Sequence, residues 1–359
     1  MNAPCALIMA GGTGGHIFPG MAVAHALRER GWRVHWLGAS GSTHQPSMES
    51  RLVPAQGFAF EAIDFGGLRG KGLVTALLLP MRLLKAFWQS IRVLRRVHPD
   101  VVVGLGGYIS FPGGMMSVLL GRALVLHEQN SVAGMANKVM AGVADRVFTA
   151  FPDVIKGGVW SGNPLREAFL KVPSPQERFN ARQGRLRVLV IGGSLGAQAL
   201  NTVVPQALAQ IPPQSRPVVL HQSGERQIDA LRANYVAQGI DAQLTPFIED
   251  TAQAMADADL VICRAGASTV TEIAAVGAAA LFVPFPFAVD DHQTHNARFL
   301  VDQDAAWLMP QNEFQAGSLA LWLQGLQRET LLDKAVRARA LAKVQATQQL
   351  VTACEELRS

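Results

Sequence analysis

The sequence predicts an α/β protein with two doubly wound domains, each containing a parallel sheet covered by helices on both faces. Two observations lead to this prediction. Short, continuously apolar runs alternate with helix-like runs along all 359 residues, and such runs are typical of parallel strands that are buried on both faces. In addition, one unit of strand, glycine turn and helix occurs twice, with room for a complete domain around each copy.

The two copies have the same order of parts. In the first, the apolar run 6–9 leads into the glycine-rich segment 11–15, and in the second the run 188–191 leads into 192–196. Each arrangement aims backbone N–H groups and the positive end of a helix dipole at an anion. We therefore expect two Rossmann-like domains facing a cleft, which suits an enzyme that joins two substrates, at least one of them a phosphate ester.

The rest of the chain completes the two predicted domains. Further strands are expected at the apolar runs 34–37, 101–103, 123–126, 218–220, 260–263 and 280–283. A turn at 161–164, followed by prolines and a polar stretch, places the domains at 1–163 and 164–340. Residues 331–357 carry one long helical pattern, which predicts a helix at the domain junction, with about 341–359 packing back on the first domain.

Composition limits the classes of function. The formal net charge of +5 and the sequence pI of about 9.4 favour anionic partners such as nucleic acid, a phosphorylated substrate or anionic lipid. Three distant cysteines form neither a zinc pattern nor a disulfide framework, which indicates a reducing cytoplasm. The start of the chain has no basic and apolar leader, and no run is long enough to predict a membrane-spanning helix.

Two nucleotide-binding patterns do not fit the chain, and one metal-binding pattern fits it loosely. A dehydrogenase needs an acidic residue at the end of the second strand, where this chain has the uncharged segment 37–40. Neither glycine segment ends in the Gly-Lys-Ser/Thr of a P-loop. Asp257 and Asp259 fit the loose D-x-D metal pattern of one class of sugar-transferring enzymes, but charged residues are also common just before a strand. We predict no bound metal and no cofactor.

The segment 263–272 follows a predicted strand and opens a helix. Ser268 and Thr269 are expected to cap that helix, whose free N–H groups would face a diphosphate. Glu272 comes about one turn later, where its carboxylate could accept both hydroxyls of a ribose. Thr269 and Glu272 also have the spacing of a capping box, a purely structural arrangement, and the spacing alone does not separate the two interpretations.

Several motifs in fixed order carry a resemblance that covers nearly the whole chain. They lie at 11–20, 104–108, 127–130, 162–166, 192–194 and 264–272. Together they closely resemble the MurG family, the N-acetylglucosaminyltransferases of bacterial peptidoglycan synthesis. The resemblance implies a GT-B fold and the transfer of GlcNAc from UDP-GlcNAc to the C4 hydroxyl of MurNAc in undecaprenyl-diphospho-MurNAc-pentapeptide (lipid I). The product would be lipid II, with inversion at the anomeric carbon.

The resemblance also implies which residues bind the donor. Glu272 would bind the ribose, Ser194 the diphosphate, Arg166 the nucleotide, and Ile248 the uracil through its backbone. Gln293 and Asn296 would grip the sugar and nucleotide, although His292 stands where family members often have a second glutamine. Backbone N–H groups would line the diphosphate at Ala267, Ser268, Thr269, Val270 and Thr271.

On the acceptor side, an inverting transfer needs a base for the incoming hydroxyl. His16 is the leading candidate, because it lies at the mouth of the first glycine segment and histidines titrate near neutral pH. A capping or structural histidine is the alternative, and Glu128 is the rival base. Asn130 would also face the acceptor. Thr13, Gly14 and Gly15 would form an anion pocket, while helix dipoles and N–H groups would neutralise the departing UDP.

Residues 65–99 contain seven basic residues and no acidic residue. The apolar side chains recur at helical spacing at Leu77, Met81, Leu84 and Trp88, and basic residues fall on another face at Arg82, Lys85 and Arg92. This pattern predicts peripheral binding to an anionic membrane, at the cytoplasmic face of the bacterial inner membrane. A core helix with a solvated basic face is the alternative.

Two other functions share parts of this pattern. A UDP-GlcNAc 2-epimerase uses the same fold and donor but needs no lipid acceptor, and a non-catalytic sugar-nucleotide sensor would bind the donor without releasing UDP. Nucleic acid is not expected as a partner, because the basic residues cluster beside leucines and the chain has only two tyrosines. The expected partners are UDP-GlcNAc, lipid I, an anionic membrane surface and other proteins of cell-wall synthesis.

Overall fold

The computed structural model of the chain describes residues 3–42, 45–66, 78–193 and 196–358. These residues form two compact units, Met1–Arg166 together with Val344–Ser359, and Glu167–Lys343. Two residues with predicted roles, Leu77 and Ser194, lie outside the described residues.

The first unit is built on a seven-stranded parallel sheet with the strand order β5-β2-β1-β6-β7-β8-β9, and β3 and β4 form a separate antiparallel hairpin. Its elements in chain order are β1 (Cys5–Met9), α1 (Gly14–Glu29), β2 (Arg33–Ala39), β3 (Gly41–Ser42), β4 (Gln45–Pro46), α2 (Met48–Ala55), β5 (Ala59–Ile63), α3 (Leu79–Val97), β6 (Val101–Gly104), α4 (Ser110–Leu119), β7 (Ala123–Glu128), α5 (Met135–Ala141), β8 (Arg146–Thr149) and β9 (Val159–Trp160).

Strand β1 shows why an uninterrupted apolar run forms the centre of this sheet. Every residue of the strand is fully buried. Because successive side chains point to opposite faces, Ala6 and Ile8 join one hydrophobic core, while Leu7 and Met9 join the other. The first core is covered by α1 and α2 and the second by α3, so both faces of the sheet need apolar residues.

The second unit repeats this architecture with a six-stranded parallel sheet in the order β12-β11-β10-β13-β14-β15. Its elements are α6 (Pro175–Asn180), β10 (Arg187–Ile191), α7 (Gln198–Ala209), β11 (Val218–Gln222), α8 (Ile228–Ala237), β12 (Gln243–Thr245), α9 (Thr251–Asp257), β13 (Leu260–Cys263), α10 (Ala267–Val276), β14 (Ala280–Phe282), α11 (His292–Val301), β15 (Trp307–Leu308), α12 (Ala316–Gln324) and α13 (Arg328–Ala340). The final helix, α14 (Ala346–Glu356), belongs to the first unit.

The strand order locates the candidate sites. In each sheet the order of connection reverses beside the first strand, between β1 and β6 in the first unit and between β10 and β13 in the second. Ligands of doubly wound sheets bind outside the carboxyl ends of the strands at such a reversal. The two glycine segments follow β1 and β10, so each lies at the reversal of its own sheet.

The expectation of one long helix over 331–357 is wrong. The chain instead forms α13 and α14, with a break at 341–345. Leu331 and Ala335 of α13 are buried in the core of the second unit, whereas Leu350 and Val351 of α14 are buried in a core of the first. The apolar residues of the pattern therefore serve two separate cores, and the break allows each half to follow the surface that it covers.

Asp257 and Asp259 form hydrogen bonds within the second unit, and Asp259 has a structural role there. The buried carboxylate of Asp259 accepts hydrogen bonds from Arg182 at 3.0 Å, from Arg328 at 3.3 Å and from the backbone N–H of Arg187 at 2.8 Å. Asp257 is exposed and accepts a bond from the amide of Gln253 at 2.8 Å. The Asp259 carboxylate thus forms ion pairs with Arg182, which lies just after α6, and with Arg328 of α13, and it also accepts a hydrogen bond from the start of β10.

We expect Asp259→Ala to lower the free energy of unfolding by about 3–5 kcal/mol, because it leaves the buried guanidinium of Arg182 without its carboxylate. Asp257→Ala is the matched control and should cost at most about 1 kcal/mol, because its carboxylate is exposed. Urea unfolding of the two variants measures the difference. Equal losses in the two variants would contradict this assignment.

Candidate functional site

The carboxyl ends of β1, β6 and β7 bring three loops together around His16. This residue lies in the first turn of α1, directly after the glycine segment. Its Nδ1 atom is 3.0 Å from Oε1 of Gln129, which follows β7. The imidazole is half-buried. His16 is therefore held by a partner 113 residues away in the sequence, rather than by the capping of its own helix.

Gly106 makes this close approach of loops sterically feasible. Its φ of +83° lies in the left-handed region, where residues with a Cβ are strained. A Cβ at this position would lie 2.7 Å from Nδ1 of His16 and 2.9 Å from Oε1 of Gln129. At Gly107 a Cβ would lie 2.5 Å from the carbonyl oxygen of Gly11. The loop after β6 thus needs glycine at both positions.

A second histidine lies behind Gln129. His127 is fully buried, and its Nε2 is 2.9 Å from the carbonyl oxygen of Gly162. The Nε2 of Gln129 is 3.1 Å from Nδ1 of His127. Burial lowers the pKa of His127 to about 4, with a smaller contribution from His16. His127 is therefore neutral at physiological pH, and Gln129 connects the two imidazoles.

Glu128 is buried and shapes the loop that follows β7. One carboxylate oxygen accepts the backbone N–H of Asn130 at 2.9 Å, and the other accepts Asn137 at 2.7 Å and the N–H of Gly134 at 3.2 Å. The side-chain amide of Asn130 adds a longer bond of 3.4 Å to the first oxygen. Because both oxygens are engaged by N–H donors, the geometry favours His16 over Glu128 as the proton acceptor.

The residue just before the anion pocket expected at Thr13, Gly14 and Gly15 already has a partner for its N–H group. The N–H of Gly12 points to the carboxylate of Glu49 at 3.4 Å, and this fully buried side chain also accepts the N–H of Ala39 at 3.2 Å. Helix α1 begins at Gly14, with Thr13 as its extended N-cap residue. The N–H groups of Gly14 and Gly15 in the first helical turn therefore remain the natural donors to an anion.

In the second unit, α10 begins earlier than the sequence suggests. Its first residue is Ala267, its N-cap residue is Gly266 in an extended conformation, and no side chain in the described ranges caps it. The expectation that Ser268 and Thr269 cap the helix is wrong, and so is the capping-box interpretation of Glu272. The glycine turn after β13 starts the helix directly, which places these residues inside its first two turns.

This helix N-terminus presents an unsatisfied hydroxyl. The Oγ of Ser268 is buried and has no hydrogen-bond partner among the described residues. Thr269 is half-buried, whereas Val270 points into the core and the hydroxyl of Thr271 bonds to the carbonyl oxygens of Ala267 and Ser268. Buried hydroxyls are almost always paired in folded proteins. An unpaired one at an open helix N-terminus therefore fits an anionic ligand.

Glu272 is half-buried in the second turn of α10. Burial, followed by the nearby Glu272 carboxylate, raises the pKa of the Cys263 thiol at the end of β13. The helix that contains Glu272 begins four residues after the end of that strand.

Polar side chains from α11 and from the segment after β13 hold the loops that follow β13 and β14. Oε1 of Gln293 accepts the N–H of Phe285 at 2.9 Å, and Asn296, which is fully buried, donates to the carbonyl oxygen of Ala265 at 3.2 Å. Arg264 donates to the carbonyl oxygens of Val283 and Pro284 at 2.9 and 3.1 Å. These bonds hold the β13 and β14 loops together at one end of the sheet.

Gln222, at the end of β11, was not singled out by sequence. Its Nε2 donates to the carbonyl oxygens of Gly193 and Pro246, each at 3.1 Å, and so connects the second glycine segment with the segment that contains Ile248. Ile248 itself is half-buried. Arg166, at the end of the Met1–Arg166 segment of the first unit, places its guanidinium 5.4 Å from the centre of the Phe18 ring.

The amphipathic segment forms α3, and most of the predicted apolar side chains on it are not in the core. Met81, Leu84 and Trp88 are 69%, 67% and 56% exposed. The core-facing residues are instead Ala86, Ser90, Val93, Leu94 and Val97. The alternative interpretation, in which these apolar side chains face the core and only the basic face is solvated, is therefore wrong for Met81, Leu84 and Trp88.

The basic residues of α3 lie beside the exposed apolar residues. Arg82, Lys85 and Arg92 are exposed, and the guanidinium of Arg92 lies 4.5 Å from the centre of the Trp88 ring. Lys85 pairs with Asp64 at 2.8 Å. Among the described helices, none is long and apolar enough to cross a membrane.

Two known protein domains match the chain, one in its N-terminal half and one in its C-terminal half. The glycosyltransferase family 28 N-terminal domain matches residues 6–149, and the family 28 C-terminal domain matches residues 187–351. Together these matches cover both glycine segments and most strands of both sheets.

Full-length relatives give a more specific comparison. The chain is 70% identical to a UDP-N-acetylglucosamine–N-acetylmuramyl-(pentapeptide) pyrophosphoryl-undecaprenol N-acetylglucosamine transferase of Albidiferax ferrireducens, over 99% of this chain and 92% of the relative. A protein of the same name from Polaromonas naphthalenivorans is 70% identical, with 98% of each chain covered.

Among solved structures, the crystal structure of Acinetobacter baumannii MurG superimposes with a TM-score of 0.83 at 39% identity, covering 98% of this chain and 99% of that one. The relatives and this structure agree with the chain over nearly its whole length. The chain therefore belongs to glycosyltransferase family 28, has the GT-B fold and is a member of the MurG family of N-acetylglucosaminyltransferases.

Proposed function

We propose that this enzyme transfers GlcNAc from UDP-GlcNAc to the C4 hydroxyl of MurNAc in lipid I, forming lipid II with inversion at the anomeric carbon. The observation that carries the proposal is the open N-terminus of α10, where the buried Ser268 hydroxyl has no partner among the described residues and Glu272 follows one turn later. These features fit the diphosphate and the ribose of a nucleoside-diphosphate sugar.

In this proposal the second unit holds the donor. The N–H groups of Ala267, Ser268 and Thr269 lack intrahelical acceptors, as in the first turn of any helix, and receive the diphosphate with the Ser268 hydroxyl. Glu272 binds the ribose hydroxyls, and the backbone around Ile248 binds uracil. Gln293 and Asn296 set the loops that surround the sugar, since both are already bonded to main-chain atoms of those loops.

The first unit activates the acceptor. His16 accepts the proton of the C4 hydroxyl while that oxygen bonds to the anomeric carbon of GlcNAc. The bond from the anomeric carbon to the diphosphate oxygen breaks on the opposite face, which inverts the configuration, and UDP leaves with the electron pair. The N-terminus of α10 stabilises the charge on UDP. The donor already carries an activated leaving group, so the reaction requires no redox or covalent cofactor.

We also propose that α3 carries the enzyme to the cytoplasmic face of the inner membrane, where its lipid-linked acceptor lies. Met81, Leu84 and Trp88 would enter the headgroup region, and Arg82, Lys85 and Arg92 would meet anionic lipids. The stacking of Arg92 on Trp88 keeps a positive charge at the edge of the apolar stripe. Other proteins of cell-wall synthesis are expected to act beside it.

We expect Ser268→Ala to raise the Kd for UDP-GlcNAc at least about tenfold, because a hydrogen bond to a charged group contributes about 1.5–3 kcal/mol. Ser318→Ala is the matched control, since Ser318 is an exposed serine in the first turn of α12 in the same unit. Calorimetric titration with UDP-GlcNAc measures both. Unchanged affinity in Ser268→Ala would argue against diphosphate binding at this helix.

We expect Gly106→Ala to lower kcat about 10- to 100-fold, because the added Cβ displaces His16 and Gln129 from each other. Gly31→Ala tests the backbone strain alone, because Gly31 has a φ of +80° and an added Cβ there would meet nothing within 4 Å. Gly31→Ala should lose about 1–2 kcal/mol of stability from backbone strain, and Gly106→Ala should lose at least as much. Equal kcat values in the two variants would show that the position of His16 is not critical.

We expect the enzyme to bind vesicles that contain anionic lipid, with binding that weakens as salt increases. Replacing both Leu84 and Trp88 with serine should weaken binding at least about tenfold, because each buried apolar side chain contributes about 1.5–3 kcal/mol. The control replaces Val236 and Leu321, which are 79% and 74% exposed in the second unit. Equal co-sedimentation of the two double variants would refute the membrane role of α3.

A further inference from the structure

We propose that the carbonyl group of Gly162 fixes the tautomer of His16 through His127 and Gln129, so that Nε2 of His16 is the atom that accepts the proton. Gln129 is then a positioning residue for the reaction. This inference rests on the proposed function insofar as it takes His16 as the base. The direction of each hydrogen bond follows from the one before it, starting at the carbonyl oxygen of Gly162, which can only accept.

The chain of bonds starts at the Gly162 carbonyl. A carbonyl oxygen only accepts hydrogen bonds, so Nε2 of His127, at 2.9 Å, must carry a proton. His127 is fully buried and stays neutral, since burial lowers its pKa to about 4. A neutral imidazole carries one proton, and therefore Nδ1 of His127 is an acceptor.

The amide of Gln129 has one orientation that fits these acceptors. One end of it lies 3.1 Å from Nδ1 of His127 and 3.3 Å from the backbone carbonyl oxygen of the same residue. Both of these atoms accept, so the NH₂ group must lie at this end. The amide oxygen Oε1 then faces His16. The backbone carbonyl supports this orientation independently of the imidazole.

The last bond sets the tautomer. Because Oε1 of Gln129 only accepts, Nδ1 of His16, at 3.0 Å, must donate its proton to it. Neutral His16 then has an unprotonated Nε2, which is the nitrogen that can take a proton from a hydroxyl. After it does so, Nδ1 still donates to Gln129, so no bond in this chain has to change direction during the reaction.

The choice of an amide rather than a carboxylate has an electrostatic consequence. In many hydrolases a carboxylate fixes the tautomer of a catalytic histidine and stabilises its charged form. Gln129 fixes the tautomer without adding a negative charge beside His16. A site that receives a diphosphate-linked acceptor benefits, because a carboxylate there would repel the acceptor.

The test is a long-range ¹H–¹⁵N correlation spectrum of the full-length enzyme with ¹⁵N-labelled histidine, with the His16 signals assigned from a His16→Gln sample. In the wild type we expect the proton of His16 on Nδ1. The tautomer is read from the wild-type enzyme itself, and a wild-type spectrum with the proton on Nε2 would overturn the proposal.

Variants then test the contribution of each bond. Gln129→Leu should release His16 to the other tautomer and lower kcat at least about tenfold, with the KM for UDP-GlcNAc changed less than about twofold. His127→Phe should cause a smaller loss, because Gln129 retains its backbone partner at residue 127 and Ser161 still donates to the Gly162 carbonyl. Gln349→Leu, at a half-buried position on α14 in the same unit, is the matched control and should change neither quantity.

The outcomes separate this inference from the proposed function. An unchanged His16 tautomer in Gln129→Leu would overturn the inference, whatever the kinetics. A changed tautomer together with a lower kcat would support both. A changed tautomer with unchanged kcat would support the chain of hydrogen bonds but would show that His16 is not the base.

Discussion

Burial of both faces of each parallel sheet is the constraint on which the rest of this molecule depends. Strands such as β1 lie between two hydrophobic cores and have no room for polar side chains along their length. Polar groups are therefore concentrated at the carboxyl ends of the strands, where the chain leaves the sheet. This constraint explains the positions of His16, Gln129 and Glu128, because each lies at the end of a buried strand or just beyond it.

The loops at these ends are held by buried carboxylates whose oxygens accept N–H groups. Glu49 binds the backbone at Gly12 and Ala39, and Glu128 binds the loop over 130–137. A buried carboxylate that lost these donors would be costly, so the loops keep their shape. His16 thereby lies in a preorganised environment, and its half-exposed imidazole remains available to a substrate.

Central elements could be predicted from sequence because burial on both faces leaves a continuous apolar run. Of the other strands in the two large sheets, β5, β8 and β12 were missed because they are partly exposed, and β9 and β15 were missed because each contains only two residues. The break at 341–345 was also missed. The sequence there is uniformly helical in composition, and the break depends on which core receives each half.

The sequence likewise predicted only some residues of the candidate site. His16 and Glu272 could be found because they belong to motifs with a recognisable order. Gln129 was part of such a motif, but no role could be assigned to it, since its partner lies 113 residues away. Glu49, Gly106 and Gln222 also act through contacts between distant loops, and spacing along the chain carries no signal of such contacts.

The central claim is that one unit binds the sugar nucleotide and a histidine of the other activates the acceptor. The most direct test is UDP release from UDP-GlcNAc, with and without a lipid I analogue, in the wild type, His16→Gln and Glu272→Ala. The account predicts acceptor-dependent release in the wild type, normal donor affinity with lost turnover in His16→Gln, and weakened donor affinity in Glu272→Ala. Release that proceeds equally without acceptor would contradict the account and favour an epimerase or a hydrolase.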